Sequence, residues 1–172
     1  ESSELYTHEI GRHLPGLAPA IWAISRHVWE SRMGECCLPD VELSVFITSR
    51  VCRGLQYVFE RARIVHRDVS PGNVMMTTEG TVKLIDFGLT VPARKEFQQP
   101  GIRTGTPNYM APEVVRRKPT DHRLDIFAFG VSMYEMFSFE LPWQRGSGDG
   151  LAAMGNGQSA PTPIEKHCPK IH

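Results

Sequence analysis

From Asp40 onward the apolar positions fall into a helical rhythm. Leu43, Phe46, Ile47, Val51, Leu55 and Val58 recur mostly at spacings of three and four, which puts them on one face of a helix running to about Arg61. Pro39-Asp40 supplies a start, with Asp40 as the N-cap carboxylate for the first unpaired N–H groups. Such a stripe reads as core, because helices bury a face of this kind as a matter of course. The rhythm then shortens. Residues 74–77 (VMMT) and 81–88 (TVKLIDFG) have strand character, and Thr78-Glu79-Gly80 between them reads as a turn, so the pair predicts a small hairpin. Residues 89–113 carry no period and are rich in Pro, Gly and Thr, the pattern of a long irregular segment with a function. Residues 121–138 (DHRLDIFAFGVSMYEMFS) return to helix, apolar on nearly every side, which predicts deep burial.

The two ends say less. Within residues 17–34, Ile21, Ile24 and Val28 share one helical face, behind the breakers Gly11, Pro15, Gly16 and Pro19. After Leu141-Pro142-Trp143 the chain turns to Gly, Ser and Pro with little regular structure. No internal repeat is visible. The expected organisation is a poorly assigned segment, residues 1–40, a helix or remnant leading into one domain, residues 41–172.

Composition narrows the classes. At 172 residues, 41% apolar and 22% charged, the chain is long enough for one domain with a real core and is unlike a disordered one. Nineteen basic and nineteen acidic residues cancel, which gives no support for a nucleic-acid or anionic-membrane partner. Cys36, Cys37, Cys52 and Cys168 form no C-x-x-C pair and no zinc set, so reduced thiols and a cytoplasmic location are expected. No signal peptide and no membrane-spanning run is found. The first residue is Glu1, not methionine, which raises the expectation of a piece of something longer.

One stretch asks for a chemical explanation. IVHRDVSPGNVMM, residues 64–76, sets His66, Arg67, Asp68 and Asn73 in one short loop, where a connector needs only turn residues. The two ends of the predicted hairpin carry Asn73 and Asp86, so the fold could join them to Asp68. Carboxylate and amide oxygens suit Mg²⁺, which is commonly held by one or two carboxylates plus substrate phosphates. An acid left free of the metal can take a proton from a hydroxyl. Taken alone, two aspartates and an asparagine near turns are more often capping residues.

The wording of the whole run changes that weighting. HRDVSPGN, then IDFG, then GTPNYMAPE resemble the protein-kinase signature set, in order, with Asp86 eighteen positions after Asp68. DIFAFG resembles the family's central-helix motif D-x-W-x-x-G, with Phe127 in the tryptophan position. HRDVSP and VKLIDFG look especially like bacterial serine/threonine kinases of eukaryotic type. The resemblance runs from about Val41 to the C-terminus. It implies an α+β, protein-kinase-like fold: a mainly helical large lobe with a small β-hairpin carrying the catalytic and metal-binding loops.

Roles follow by position, as what the resemblance implies. Asp68 orients the substrate hydroxyl and takes its proton, with Asn73 beside it in the catalytic loop. Asn73 and Asp86 hold Mg²⁺, and Asp86 bridges metal to the phosphates of ATP. Met75 lies beneath the adenine, and Ser70 occupies the position facing the γ-phosphate. His66 and Phe87 stack in the core, while Asp125 hydrogen-bonds the catalytic-loop backbone. Arg67 receives an activation-loop phosphate, for which Thr104 is the best candidate, since no hydroxyl occurs between Val91 and Arg103. Thr106 matches the loop threonine of serine/threonine kinases, so the implied partner is a protein substrate offering Ser or Thr. Glu113 normally pairs with an arginine from later helices.

The pattern also breaks. Serine/threonine kinases usually have lysine where this chain has Ser70. No lysine precedes Lys83, and no G-x-G-x-x-G precedes HRD. Residues 146–150 (GSGDG) follow the wrong motifs and open no helix, so they read as a surface loop. The small ATP lobe is thus absent or unrecognisable, and the final helices with the partner of Glu113 are not seen. The expected molecule is a large-lobe fragment of a kinase, inactive by itself. Two alternatives stay open: a pseudokinase or docking module without turnover, and a small-molecule phosphotransferase of the aminoglycoside-kinase type. The latter shares H-x-D-x-x-x-x-N, but GTPNYMAPE is foreign to it.

Overall fold

The computed structural model describes residues 22–23, 41–77, 80–93, 105–143, 160–169 and 171. Strand β1 (Trp22–Ala23) comes first, then helix α1 (Val41–Tyr57), which runs on into a π-helical turn at Val58–Ala62. Strand β2 (Ile64–Val65), a 3₁₀ turn at Pro71–Asn73, and strands β3 (Val74–Met76) and β4 (Val82–Leu84) follow. Next come a 3₁₀ turn at Phe87–Leu89, strand β5 (Val91–Pro92) and another 3₁₀ turn at Pro107–Tyr109. Helices α2 (Pro112–Val115) and α3 (Arg123–Ser138) and a last 3₁₀ turn at Ile164–Lys166 close the order. Helices with small antiparallel sheets make this an α+β fold. One sheet has the order β1-β3-β4, the other pairs β2 with β5.

Two apolar clusters hold the loop between β2 and β3. The α1 stripe buries Leu43, Ile47 and Val51 against Val74 and Met76 of β3 and Met136 of α3, with Phe46 and Leu55 packed alongside. The second cluster joins Val65 to Met110, Ala111, Val114 and Leu124. Because β2 belongs to one cluster and β3 to the other, residues 66–73 are anchored at both ends. In the hairpin, Val74 pairs with Leu84 and Met76 with Val82, so both couples turn toward α1, while Met75 and Lys83 take the opposite face.

Three segments differ from the sequence reading. Trp22 and Ala23 are not helical but pair antiparallel with Met76 and Met75, supplying hydrogen bonds to what would otherwise be an open β3 edge. The rest of that predicted helix, and Asp40, lie outside the described residues. The segment after Leu89 is less irregular than expected: Val65 pairs with Val91, and the Ala93 amide donates to the Arg63 carbonyl at 2.7 Å. Helix α3 is not buried all round. Leu124, Ala128 and Val131 face the interior, but Ile126 is 61% exposed, because apolar neighbours cover only part of the helix. Among the described residues no helix is long and apolar enough to cross a membrane.

The α1 stripe generates a stability prediction. Ile47 is 1% exposed and Val45, on the other face, 53%. Ile47→Ala is expected to lower the unfolding free energy by about 2–5 kcal/mol, through lost burial plus a residual cavity. Val45→Ala should cost under about 1 kcal/mol. Urea titrations of both variants check this, and equal losses would mean that α1 does not bury the face described.

Candidate active site

The loop after β2 begins on a buried carboxylate. Asp125, in the first turn of α3, accepts hydrogen bonds from the backbone N–H groups of His66 at 2.7 Å and Arg67 at 2.8 Å. Arg67 has φ 72, the left-handed region that non-glycine residues enter at a cost. Two charge-assisted bonds offset that cost and fix the turn. Burial raises the Asp125 pKa, against the hydrogen bonds from Arg67 and His66, which lower it. Partial burial likewise lowers the Arg67 pKa, against the attraction of Asp125.

His66 carries the anchor to the hairpin. It is fully buried, and the Asp68 amide donates to its Nδ1 at 3.3 Å. A nitrogen that accepts carries no proton, so the neutral ring holds its proton on Nε2 and donates to the Ile85 carbonyl at 3.0 Å. The Ile85 amide donates in turn to the Asn73 carbonyl at 2.9 Å. One imidazole thus ties the residue before Asp86 to the residue before Arg67. Phe87 meets the His66 ring edge-on, with centroids 4.7 Å apart. It is nevertheless 40% exposed, unlike the core residue expected, since its short 3₁₀ turn lies at the surface.

Asp68 is held on both oxygens. Its Oδ1 accepts from the Thr106 amide at 2.7 Å and the Thr106 hydroxyl at 2.8 Å. Its Oδ2 accepts from Asn73 Nδ2 at 2.9 Å, and the same nitrogen donates to the Asp68 carbonyl at 2.8 Å. Facing two acceptors fixes the amide orientation and turns Asn73 Oδ1 the other way as an acceptor. Gly105 makes the approach of Thr106 feasible. Its φ is +107, and a Cβ there would stand 2.8 Å from the Arg67 carbonyl oxygen.

Asp86 sits at the same end of the hairpin as Asn73, in the left-handed region at φ 60, with Oδ1 accepting from the Gly88 amide at 3.2 Å. The side chain is otherwise exposed. Asn73 and the exposed Asp86 carboxylate, at one end of the hairpin, are hard-oxygen donors of the kind that could hold Mg²⁺ together with substrate phosphates. Among the described residues no group of three or more His, Cys, Asp and Glu gathers. Met75 is half-buried on the hairpin face away from α1. Ser70 is 5% exposed, tucked into the loop, and its carbonyl accepts from the Asn73 amide at 3.0 Å. Glu113 is half-buried, and its carboxylate has no hydrogen-bond or ion-pair partner among the described residues. Thr104 lies outside the described residues.

Gly105 and the contact of the Tyr109 hydroxyl with Glu135 of α3 were not anticipated from sequence. A glycine directly before Thr106 was the available signal for the first. Nothing in the spacing of residues 109 and 135 signalled the second.

With this geometry in view, the chain belongs to the protein kinase family, whose protein kinase domain model matches residues 28–167. It is 33% identical to the serine/threonine-protein kinase SKM1 of Saccharomyces cerevisiae over 67% of this chain and 18% of that protein. It is 39% identical to the probable serine/threonine-protein kinase PknB of Corynebacterium glutamicum, over 66% of this chain and 18% of that one. Tyrosine-protein kinase MasK of Myxococcus xanthus is 41% identical over 54% of this chain and 16% of its own length. The matched stretch is thus a small part of each relative. The family assignment sets aside the small-molecule phosphotransferase alternative.

Two outcomes test the scaffold. Asp125→Ala leaves the His66 and Arg67 amides buried without an acceptor, and should cost about 2–5 kcal/mol in urea unfolding. With its pKa raised in the folded chain, Asp125 stabilises most below the ordinary aspartate value of about 3.9. That contribution declines as pH rises through the folded-state value. The deficit of Asp125→Asn, which cannot titrate, should therefore shrink over that rise; a deficit that grows would contradict the raised pKa. Gly105→Ala should lose more than about 1 kcal/mol, from the left-handed φ and the contact with Arg67.

Proposed function

We propose that this chain carries the catalytic and metal-binding loops of a protein kinase large lobe. In the full-length parent these loops transfer the γ-phosphoryl group of Mg²⁺-ATP to a Ser or Thr hydroxyl of a protein. The observation that carries this reading is the three-way lock of Asp68 by Thr106 and Asn73, with Asp86 at the hairpin end that carries Asn73. A carboxylate so fixed accepts the hydroxyl proton as the oxygen attacks, while Asn73 and Asp86 would hold Mg²⁺. Bound metal offsets charge on the transferring phosphoryl group; the rest of the rate comes from alignment. Met75 offers an apolar floor for the base. The preference for Ser and Thr rests on Thr106, whose hydroxyl occupies Asp68.

Arg67 and Thr104 extend the reading to regulation. A phosphate on Thr104 would meet the Arg67 guanidinium through charge-assisted hydrogen bonds and order the loop.

A docking module without turnover is the second reading. It is favoured in this chain by the lack of any lysine among residues 1–82. A nucleotide held by Met75 and metal alone lacks a cationic clamp, so the chain by itself should bind ATP weakly and turn over negligibly.

The full-length parent and the chain should be assayed with Mg²⁺-ATP and a protein acceptor, followed by phosphoamino-acid analysis. Phosphoserine or phosphothreonine is expected from the parent, abolished by EDTA and reduced about a hundredfold or more by Asp68→Asn. Phosphotyrosine would overturn the substrate class. A parent with no Asp68-dependent turnover would establish the docking module instead.

A further inference from the structure

Away from Asp68, five exposed cations lie on the two segments that the contact of Phe59 with His122 joins. Phe59, in the π-helical turn, lies with its centroid 5.8 Å from the Arg63 guanidinium and 4.3 Å from the His122 ring. This contact joins the end of the turn, with exposed Arg61 and Arg63, to the loop that enters α3. In that loop Arg116, Arg117 and Lys118 are consecutive and exposed. Lys118 is four residues from His122, a span of at most ~14 Å. Asp121 and Arg123 pair with each other at 2.8 Å. None of the five cations has an ion-pair partner among the described residues.

The backbone adds an independent observation. Arg63 has φ 53 and Arg117 φ 57, positions that glycine occupies without strain and arginine does not. Around Arg117 the turn is also fixed. The amides of Arg116, Arg117 and Lys118 donate to the carbonyls of Pro112, Val114 and Glu113 at 2.9, 3.1 and 2.9 Å. Two arginines therefore stand exposed on preformed turns, Arg63 over the Phe59 ring and Arg117 with no ion-pair partner among the described residues. Left-handed residues of this kind commonly end helical turns, and here they fix the directions in which the two arginines leave the backbone.

We propose that this surface docks an acidic segment of a protein partner. Guanidinium groups match carboxylates as two-pronged donors, and a rigid turn lowers the cost of ordering them. Two features set the partner class. Phe59 is already engaged by Arg63 and His122, so it is not a free platform for stacking bases. Nineteen acidic residues balance nineteen basic ones, and Glu60, Glu113 and Asp121 are interspersed with the patch in sequence. That is a poor field for a continuous polyanion and a workable one for discrete carboxylates.

The test needs no turnover, so it stands apart from the kinase reading. A fluorescein-labelled peptide rich in Asp and Glu, about a dozen residues long, is titrated with the full chain at low salt and read by anisotropy. Saturable binding is expected, weakening as salt is raised. The triple variant Arg116→Ala, Arg117→Gly, Lys118→Ala should bind at least about fivefold more weakly. Arg117→Gly alone should weaken binding about twofold and leave the melting temperature unchanged or higher. That combination separates a functional arginine from a structural one, and it carries the test if the triple variant fails to melt cooperatively. The proposal is overturned by absent binding, by unchanged affinity in the variants, or by equal binding of the matching Asn/Gln peptide. Tighter binding of a single-stranded oligonucleotide through the same residues would overturn the partner class.

Discussion

The buried carboxylate of Asp125 is the point on which the site turns. Its two oxygens take the amides of His66 and Arg67, one each, and thereby hold Arg67 in a left-handed conformation that its side chain disfavours. Burying a carboxylate among apolar neighbours is costly unless its oxygens are satisfied. Here the satisfied carboxylate is what permits the turn. Without it two amides inside the fold would lose their acceptor, and the chain would enter residues 68–73 in another direction.

From that anchor the order passes outward through one ring. His66 accepts from the Asp68 amide and donates to the Ile85 carbonyl, so the position of Asp86 is set by a residue twenty positions earlier. Hairpin register then aligns Asn73, just before β3, with Asp86, just after β4. The two apolar clusters do the coarse work, clamping β2 on one side and β3 on the other. The polar bonds do the fine work. Neither alone would bring oxygens from residues 68, 73 and 86 to one end of a hairpin.

What was legible in the sequence follows from the length over which a signal repeats. The α1 stripe extends over several turns, and the hairpin has alternation on both strands plus a turn, so both were readable. Strands β1, β2 and β5 contain two residues each, too few to show a period, and exist because a neighbouring edge accepts them. The full apolar character of α3 was visible, but which side stays open depends on what packs there, as Ile126 demonstrates. In the site, Asp68, Asn73 and Asp86 stood out through the resemblance of HRDVSPGN and IDFG to the kinase signature set, since by chemical type alone they read as capping residues. The tautomer of His66 and the exposure of Phe87 did not, since each depends on contacts between segments distant in sequence.

The hydrogen bonds of Asp68 also constrain how the proposed reaction would use it. A carboxylate offers about four acceptor positions. Thr106 fills two on Oδ1 and Asn73 one on Oδ2, which leaves the remaining capacity on the Oδ2 side. A hydroxyl that gives its proton to Asp68 would therefore approach beside Asn73, the residue whose other amide atom is the acceptor left for a metal. Nucleophile and metal would then be set by opposite ends of one amide group. Thr106 would play a different part: by saturating Oδ1 it would close the wrong side of the proposed base. On this view the threonine contributes to alignment by leaving the attacking oxygen one place to go, the kind of restriction through which phosphoryl transfer is accelerated.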